Sequence, residues 1–313
     1  MAGAAFLFPG QGSQYVGMGR EIHDQYPAAR EVFERAQTLL DLPLRKLCFE
    51  GPLEELTLTR NLQPAVTAVN LASLAVLENL GYRPTAVAGH SLGEYSALYA
   101  ARVISLEDTL KLVMVRGALM DQAAQKYPGA MAAVMGLSPE QLDSILAGLQ
   151  AQGAIGAANF NTPEQTVISG SRPLVEEACR RVAEQGGKAI PLAVSGAWHS
   201  PLMQEALESF QEVLTAVPFQ PPQCPLYLNV TGNTVQDPGQ IKEIMGRQMG
   251  SSVRWVNIVQ QMRENGLTRF LEVGPKKVLL GLVKKCLPKE FAYTASNVED
   301  VKSLQAFTAA ANT

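Results

Sequence analysis

The stretch Gly89-His90-Ser91-Leu92-Gly93-Glu94-Tyr95-Ser96-Ala97-Leu98 decides the fold class. It follows a short β-like run, Thr85-Ala86-Val87-Ala88, and opens an apolar, alanine-rich segment of helical character, Leu92 to Ala101. Gly89, Ser91 and Gly93 fit the pattern G-x-S-x-G, in which a serine stands on a sharp turn between a strand and a helix. The turn brings two backbones close together, and side chains at the glycine positions would clash. Ser91 is then expected to point outward at a helix N-terminus, where free N–H groups and the helix dipole favour a developing oxyanion. Any glycine-rich loop can match the pattern by chance. The strand before it and the helix after it give this match its weight.

The totals bound what surrounds this turn. With 313 residues the chain can form one large domain or two modest ones. Hydrophobic residues make up 47% and charged residues 18%, which suits a sizeable apolar core and not a disordered chain. A formal net charge of −3 argues against a general nucleic-acid binder, which carries a basic face. Cys48, Cys179, Cys224 and Cys286 lie far apart with no C-x-x-C spacing, so free thiols in a reducing compartment are expected and no metal site is. No basic leader and no membrane-spanning run is read at the N-terminus. The expected location is the cytoplasm, or a plastid or mitochondrial interior if a targeting peptide has been removed.

Upstream of the turn, Ala4-Ala5-Phe6-Leu7-Phe8 reads as a buried strand ending in Pro9-Gly10-Gln11-Gly12-Ser13-Gln14. From composition alone that loop is an ordinary turn. Helices are expected over residues 27–40, Pro52 to Leu56 and Gln63 to Leu80, the last stopped by Gly81. Downstream, Ser105 caps a helix running to about Gln125, with Glu107 and Asp108 in its first turn. Arg116 falls beside the apolar stripe of this helix and has no carboxylate three or four residues away. A buried guanidinium without a partner is costly, so either a distant acid pairs with it in a structural salt bridge or a bound anion does.

The rhythm changes near Tyr127-Pro128-Gly129. Strands are expected at Ala130–Met135, Ala154–Asn159, Gln165–Ser169 and Lys188–Ala193, with helices at Pro139–Leu149 and Pro173–Gln185. The order βαββαβ is that of a ferredoxin-like unit inserted in the larger α/β domain. The chain then reaches Ser195-Gly196-Ala197-Trp198-His199-Ser200-Pro201. A lone histidine is more often structural than catalytic, but His199 stands at the junction between insert and returning domain, where sites are common. A helix from Pro201 to Val217, a strand Leu226–Val230, helices near Gln240–Met249 and 255–265, and a final core strand Arg269–Val273 complete the expectation. Lys276, Lys277, Lys284, Lys285 and Lys289 follow on or near a helix, by default a solvated face.

Taken together, FPGQGSQ (8–14), GHSLGEYSAL (89–98), VMVRG around Arg116, VSGAWHSPLM (194–203) and FLEVGP (270–275) resemble the malonyl-CoA:acyl carrier protein transacylases and the acyltransferase domains of polyketide synthases. The matches span nearly the whole chain in the family's order, and the length resembles a free-standing enzyme. The resemblance implies an α/β-hydrolase-like core over 1–127 and 197–313, with the ferredoxin-like insert at 128–196. It implies ping-pong acyl transfer without a cofactor. Ser91 would be the nucleophile and His199 the base. The N–H groups of Gln11 and Leu92 would hold the oxyanion. The Gln248 carbonyl would orient the histidine, and Arg116 would grip the malonyl carboxylate. His90, Trp198 and Gln248 join Arg116 in the implied substrate-binding set. Malonyl-CoA and acyl carrier protein would be the partners of a monomer that binds neither nucleic acid nor membrane.

Three positions depart from the family's pattern: Trp198 where malonyl-selective relatives usually carry Phe, Lys276 where glycine often follows Gly-Pro, and Ser252 where proline is common. Acyl carrier proteins are acidic. The lysines at 276–289 form one candidate docking patch, and Arg180, Arg181 and Lys188 form another. The rival readings are a serine hydrolase or thioesterase with Asp121 or Asp143 as the triad acid, a trans-acting polyketide acyltransferase, and a non-catalytic carrier-protein scaffold.

Overall fold

A computed structural model describes residues 3–311. Its larger sheet is parallel, with strands β1 (Ala4–Phe8), β2 (Pro84–Gly89), β7 (Leu226–Tyr227), β8 (Arg269–Val273) and β9 (Thr294–Val298) in the order β7-β2-β1-β8-β9. β1 is buried along its whole length, as a central strand covered on both faces must be. The long helices Thr59–Asn79 and Leu106–Lys126 pack on one face, and the first is buried on nearly every side. On the other face lie the helices Trp255–Glu264 and Val278–Cys286.

A second sheet is antiparallel and has its own apolar cluster. It consists of β3 (Gly129–Met135), β4 (Ile155–Thr162), β5 (Gln165–Ser171) and β6 (Lys188–Pro191), in the order β4-β5-β3-β6. The helices Pro139–Gln150 and Arg172–Glu184 join these strands. A parallel bridge from Asn159 to Val253 ties this sheet to the rest of the chain.

Several expected boundaries shift for physical reasons. The strand at Leu226 stops at Tyr227, because the Leu228 amide turns to Asn233 O and the Asn229 amide to Glu94 Oε1. Pro201 opens a 3-10 turn, Pro201–Met203, before the helix Gln204–Thr215. Likewise Pro238–Gly246 is followed by a separate 3-10 turn, Gln248–Gly250. The helix expected from Gln63 begins at Thr59 and carries Pro64 inside it. Arg269–Val273 is not the last core strand. β9 pairs beside it and was hidden by the polar, half-exposed sequence of an edge strand.

Candidate active site

The sharp turn forms as the glycines require. A Cβ on Gly89 would lie 2.0 Å from the Gly93 carbonyl carbon, and one on Gly93 would lie 1.9 Å from Phe8 O. Ser91 sits between them at φ 50°, in the left-handed region, before the helix Gly93–Ala100. Asn229 compensates this strained turn: its Oδ1 accepts from the Ser91 amide at 2.7 Å and its Nδ2 donates to Gly89 O at 2.6 Å.

His199 also has a positive φ, 56°. Its Nδ1 donates to Ser251 O at 2.9 Å and to Gln248 O at 3.2 Å. Both partners only accept, so the proton belongs on Nδ1, and Nε2 accepts from the Ser91 hydroxyl at 2.7 Å. Burial, then the charges of Arg116 and His90, push the imidazole down to about 3, which keeps it a neutral base at pH 7. Neither acid considered for a hydrolase triad meets it. Asp121 accepts from Arg60 at 2.6 Å, and Asp143 makes no hydrogen bond to a ring whose two nitrogens are already engaged.

Arg116 is only 1% exposed. Its Nη1 donates to Gln63 Oε1 at 2.9 Å, and its Nη2 donates to Gln248 Oε1 and to Ser91 Oγ, both at 3.1 Å. The guanidinium lies over the Tyr95 ring at 5.5 Å, and Nε has no partner. Among the described residues no carboxylate forms an ion pair with it, so it is no structural salt bridge. Glu94, whose charge acts on Arg116, has both oxygens occupied by the Asn229 amide at 2.7 Å and the Gln248 amide at 2.8 Å. A buried cation with uncharged hydrogen-bond partners and an unused donor, 3.1 Å from the Ser91 hydroxyl, has the chemistry to receive an anionic group.

These groups open on a cavity of about 270 Å³. Gln11 and Leu92 line it, and among the described residues neither of their amides meets an acceptor in the protein. The loop expected to be an ordinary turn therefore brings a free N–H to the site. Asn70 holds that loop through Pro9 O at 3.0 Å. The antiparallel sheet supplies the facing wall, including Asn161 and Val167. His90 lines the cavity, but its Nε2 is committed to Asn161 Oδ1 at 2.9 Å, so it joins the two sheets. Trp198 is a buried wall residue, and the far edge of its ring packs against Gly196. Val278, 43% exposed, stands at the mouth.

Sequence reasoning overlooked Glu94, Asn229, Gln63, Ser251 and Asn161. Only Glu94 left a signal, a carboxylate in an otherwise apolar helix with no cation at helical spacing.

A hydroxyl paired with a neutral imidazole, beside two free amides and a buried cation, has the chemistry that acyl transfer through a serine requires. The acyl transferase domain family matches residues 5–308. The malonyl CoA-acyl carrier protein transacylase of Bacillus subtilis (strain 168) is 44% identical over 287 residues, covering 91% of this chain and 90% of that protein. The crystal structure of the malonyl CoA-acyl carrier protein transacylase from Clostridium perfringens superposes with a TM-score of 0.94 at 37% identity, covering 99% and 98% of the two chains. A malonyl-transacylase solved in complex with a type II polyketide synthase acyl-carrier protein superposes at 0.93, with 37% identity and complete coverage of both chains, 100% each. The chain belongs to the acyl transferase family, and within it to the malonyl-CoA:acyl carrier protein transacylases.

Proposed function

We propose that this chain moves a malonyl group from malonyl-CoA to the phosphopantetheine thiol of acyl carrier protein through a malonyl-serine ester. The observation that carries the reading is the buried Arg116 guanidinium, which forms no ion pair among the described residues and lies 3.1 Å from the Ser91 hydroxyl. Ser91 Oγ attacks the thioester carbonyl while His199 Nε2 takes its proton. The oxyanion forms against the N–H groups of Gln11 and Leu92. The C–S bond then breaks, and coenzyme A leaves with the proton from His199. In the second half the carrier thiol gives its proton to His199 and attacks the ester carbonyl, and Ser91 regains the proton as it leaves. Removing one oxyanion donor of this kind costs ~10²–10³ in rate. Arg116 binds the malonyl carboxylate, with Gln63 and Gln248 holding the guanidinium in place. Trp198 closes the wall against a methyl branch, and His90 shapes the cavity through Asn161.

The protein is proposed to act as a cytoplasmic monomer without a resident cofactor or metal, binding neither nucleic acid nor membrane. No helix among the described residues is long and apolar enough to cross a membrane. The strand order of the second sheet and its helix connections support a ferredoxin-like insert over 128–196. The five parallel strands with the serine turn after β2 support a hydrolase-like core over the remainder. For the carrier protein, the lysine helix is the better surface. Arg180 and Arg181 are engaged by Glu177 and Glu184, whereas Lys277, Lys284, Lys285 and Lys289 form no ion pair among the described residues and flank the cavity mouth at Val278 and Leu282.

The test is intact-protein mass after brief mixing with malonyl-CoA or acetyl-CoA, for the unmodified chain and for Ser91→Ala. A malonyl-sized adduct present only when Ser91 is intact, and discharged by carrier protein, is the expected result. Free malonate appearing faster than carrier loading would replace this reading with a hydrolase.

A further inference from the structure

We propose that Glu94 is a positioning residue: its carboxylate fixes the orientation of the Gln248 side-chain amide, and through it holds the Arg116 clamp and the His199 base in one register. The inference rests on the malonyl-transfer reading and adds a residue that the reaction scheme does not use.

Glu94 is 0% exposed, in the first turn after the nucleophile, on an apolar helix where leucine would be unremarkable. A carboxylate buried there is costly unless its oxygens are satisfied. Oε1 accepts from the Asn229 amide at 2.7 Å and Oε2 from Gln248 Nε2 at 2.8 Å. The second hydrogen of Gln248 Nε2 goes to Ser91 O at 2.8 Å. With both hydrogens assigned, Gln248 Oε1 has one direction left, towards Arg116 Nη2. Flipping the amide would set its NH₂ against the guanidinium, and its oxygen against Glu94 and the Ser91 carbonyl. The main-chain carbonyl of the same Gln248 accepts from His199 Nδ1. The other arm runs from Glu94 through Asn229 to the Ser91 amide. One carboxylate therefore reaches the nucleophile's backbone from both sides, and reaches the clamp and the base through a single glutamine.

Glu94→Gln in the full chain keeps the shape but offers one acceptor and one donor where two acceptors are needed. The fixed Asn229 main-chain amide takes the new oxygen, so the new NH₂ faces Gln248 Nε2, and rotation of Gln248 relieves that conflict at the expense of Arg116. The expected variant folds, by circular dichroism and thermal melting, and still acylates Ser91. Its ratio of kcat/KM for malonyl-CoA over acetyl-CoA falls by about tenfold or more, the scale of one charge-assisted hydrogen bond. A merely structural residue would slow both donors alike, so an unchanged ratio overturns the proposal.

Gln248→Met removes the amide but keeps the carbonyl that His199 uses. It should show the same fall in ratio, with no further loss in the double variant. If Glu94→Gln does not fold, Gln248→Met decides alone, and an unchanged ratio there also overturns the proposal. Should the unmodified chain not form a malonyl-serine at all, the transfer reading fails and this proposal with it. A selective unmodified chain beside an equally selective Glu94→Gln defeats only the role of Glu94.

Discussion

Replacing Arg116 with alanine contrasts a donor that carries a carboxylate with one that does not, and the structure sets the size of the effect. A guanidinium has five N–H donors. Three of Arg116's are engaged, with Gln63 Oε1, Gln248 Oε1 and Ser91 Oγ, which leaves Nε and one hydrogen of Nη1 free. These two lie on different edges of the guanidinium and Nε is buried, so a malonyl carboxylate gains its charge-assisted bonds at the Nη end, sharing Nη2 with Ser91 and Gln248. A charge-assisted bond is worth ~1.5–3 kcal/mol net, and breaking a buried charge pair costs about 3–5 kcal/mol. At ~1.4 kcal/mol per tenfold, kcat/KM for malonyl-CoA should fall between about a hundredfold and a few thousandfold. Acetyl-CoA has no carboxylate to lose, and its kcat/KM should move by less than about tenfold. Initial rates of coenzyme A release with each donor, over a range of donor concentrations, give both numbers. Equal losses with the two donors would refute the clamp and leave Arg116 as support for Ser91 alone.

Other perturbations test other parts of the site. His199 is held at about 3 in the folded chain against about 6.5 unfolded, so between these values the unfolded state binds the extra proton and this residue's contribution to stability falls as pH falls. The stability of the unmodified chain minus that of His199→Gln, from urea unfolding, should drop by about 3 kcal/mol between pH 7 and pH 4; a constant difference would show that the imidazole titrates normally. Gly93→Ala forces a Cβ to 1.9 Å from Phe8 O, a backbone atom that cannot swing aside, and should destabilise by about 3 kcal/mol in the same assay; a loss under about 1 kcal/mol would mean the turn relaxes freely. The pair Lys284→Glu and Lys285→Glu should slow carrier-protein loading by about tenfold at low salt while leaving Ser91 malonylation unchanged, and a salt-independent result would exclude that helix as the docking surface.

How far the sequence discloses this protein depends on whether a residue's role is local. The strand Ala4–Phe8, the serine turn and the Ser105 cap depend on neighbours within a few positions, and periodicity and glycine placement made them legible. The Ser105 side chain does accept from the Asp108 amide at 3.0 Å. β9 was missed because an edge strand needs no apolar alternation. The strand at Leu226 was overextended because a tertiary contact, the Asn229 amide on Glu94, ends it. The same division runs through the site. Ser91 and Arg116 could be singled out as an oddly placed hydroxyl and an unpaired cation.

The groups that hold them could not, because each acts through a bond across more than fifty positions. Gln63 reaches Arg116, Asn229 reaches Ser91, and Ser251 shares His199 with the expected Gln248. A carbonyl that orients a histidine carries no residue signature, since every residue has one. This explains why a search for a triad acid finds Asp121 and Asp143 in the sequence and neither at the imidazole. With no anion behind His199, its imidazolium would be stabilised only by carbonyl dipoles and opposed by Arg116. A malonyl carboxylate bound at Arg116 would supply the missing negative charge. Substrate binding should therefore raise the basicity of His199 as Ser91 is attacked, an effect that acetyl-CoA cannot produce. Selectivity in this site then lies in the proton transfer as well as in binding, and the Arg116 comparison of the two donors should show part of its difference in kcat, not in KM alone.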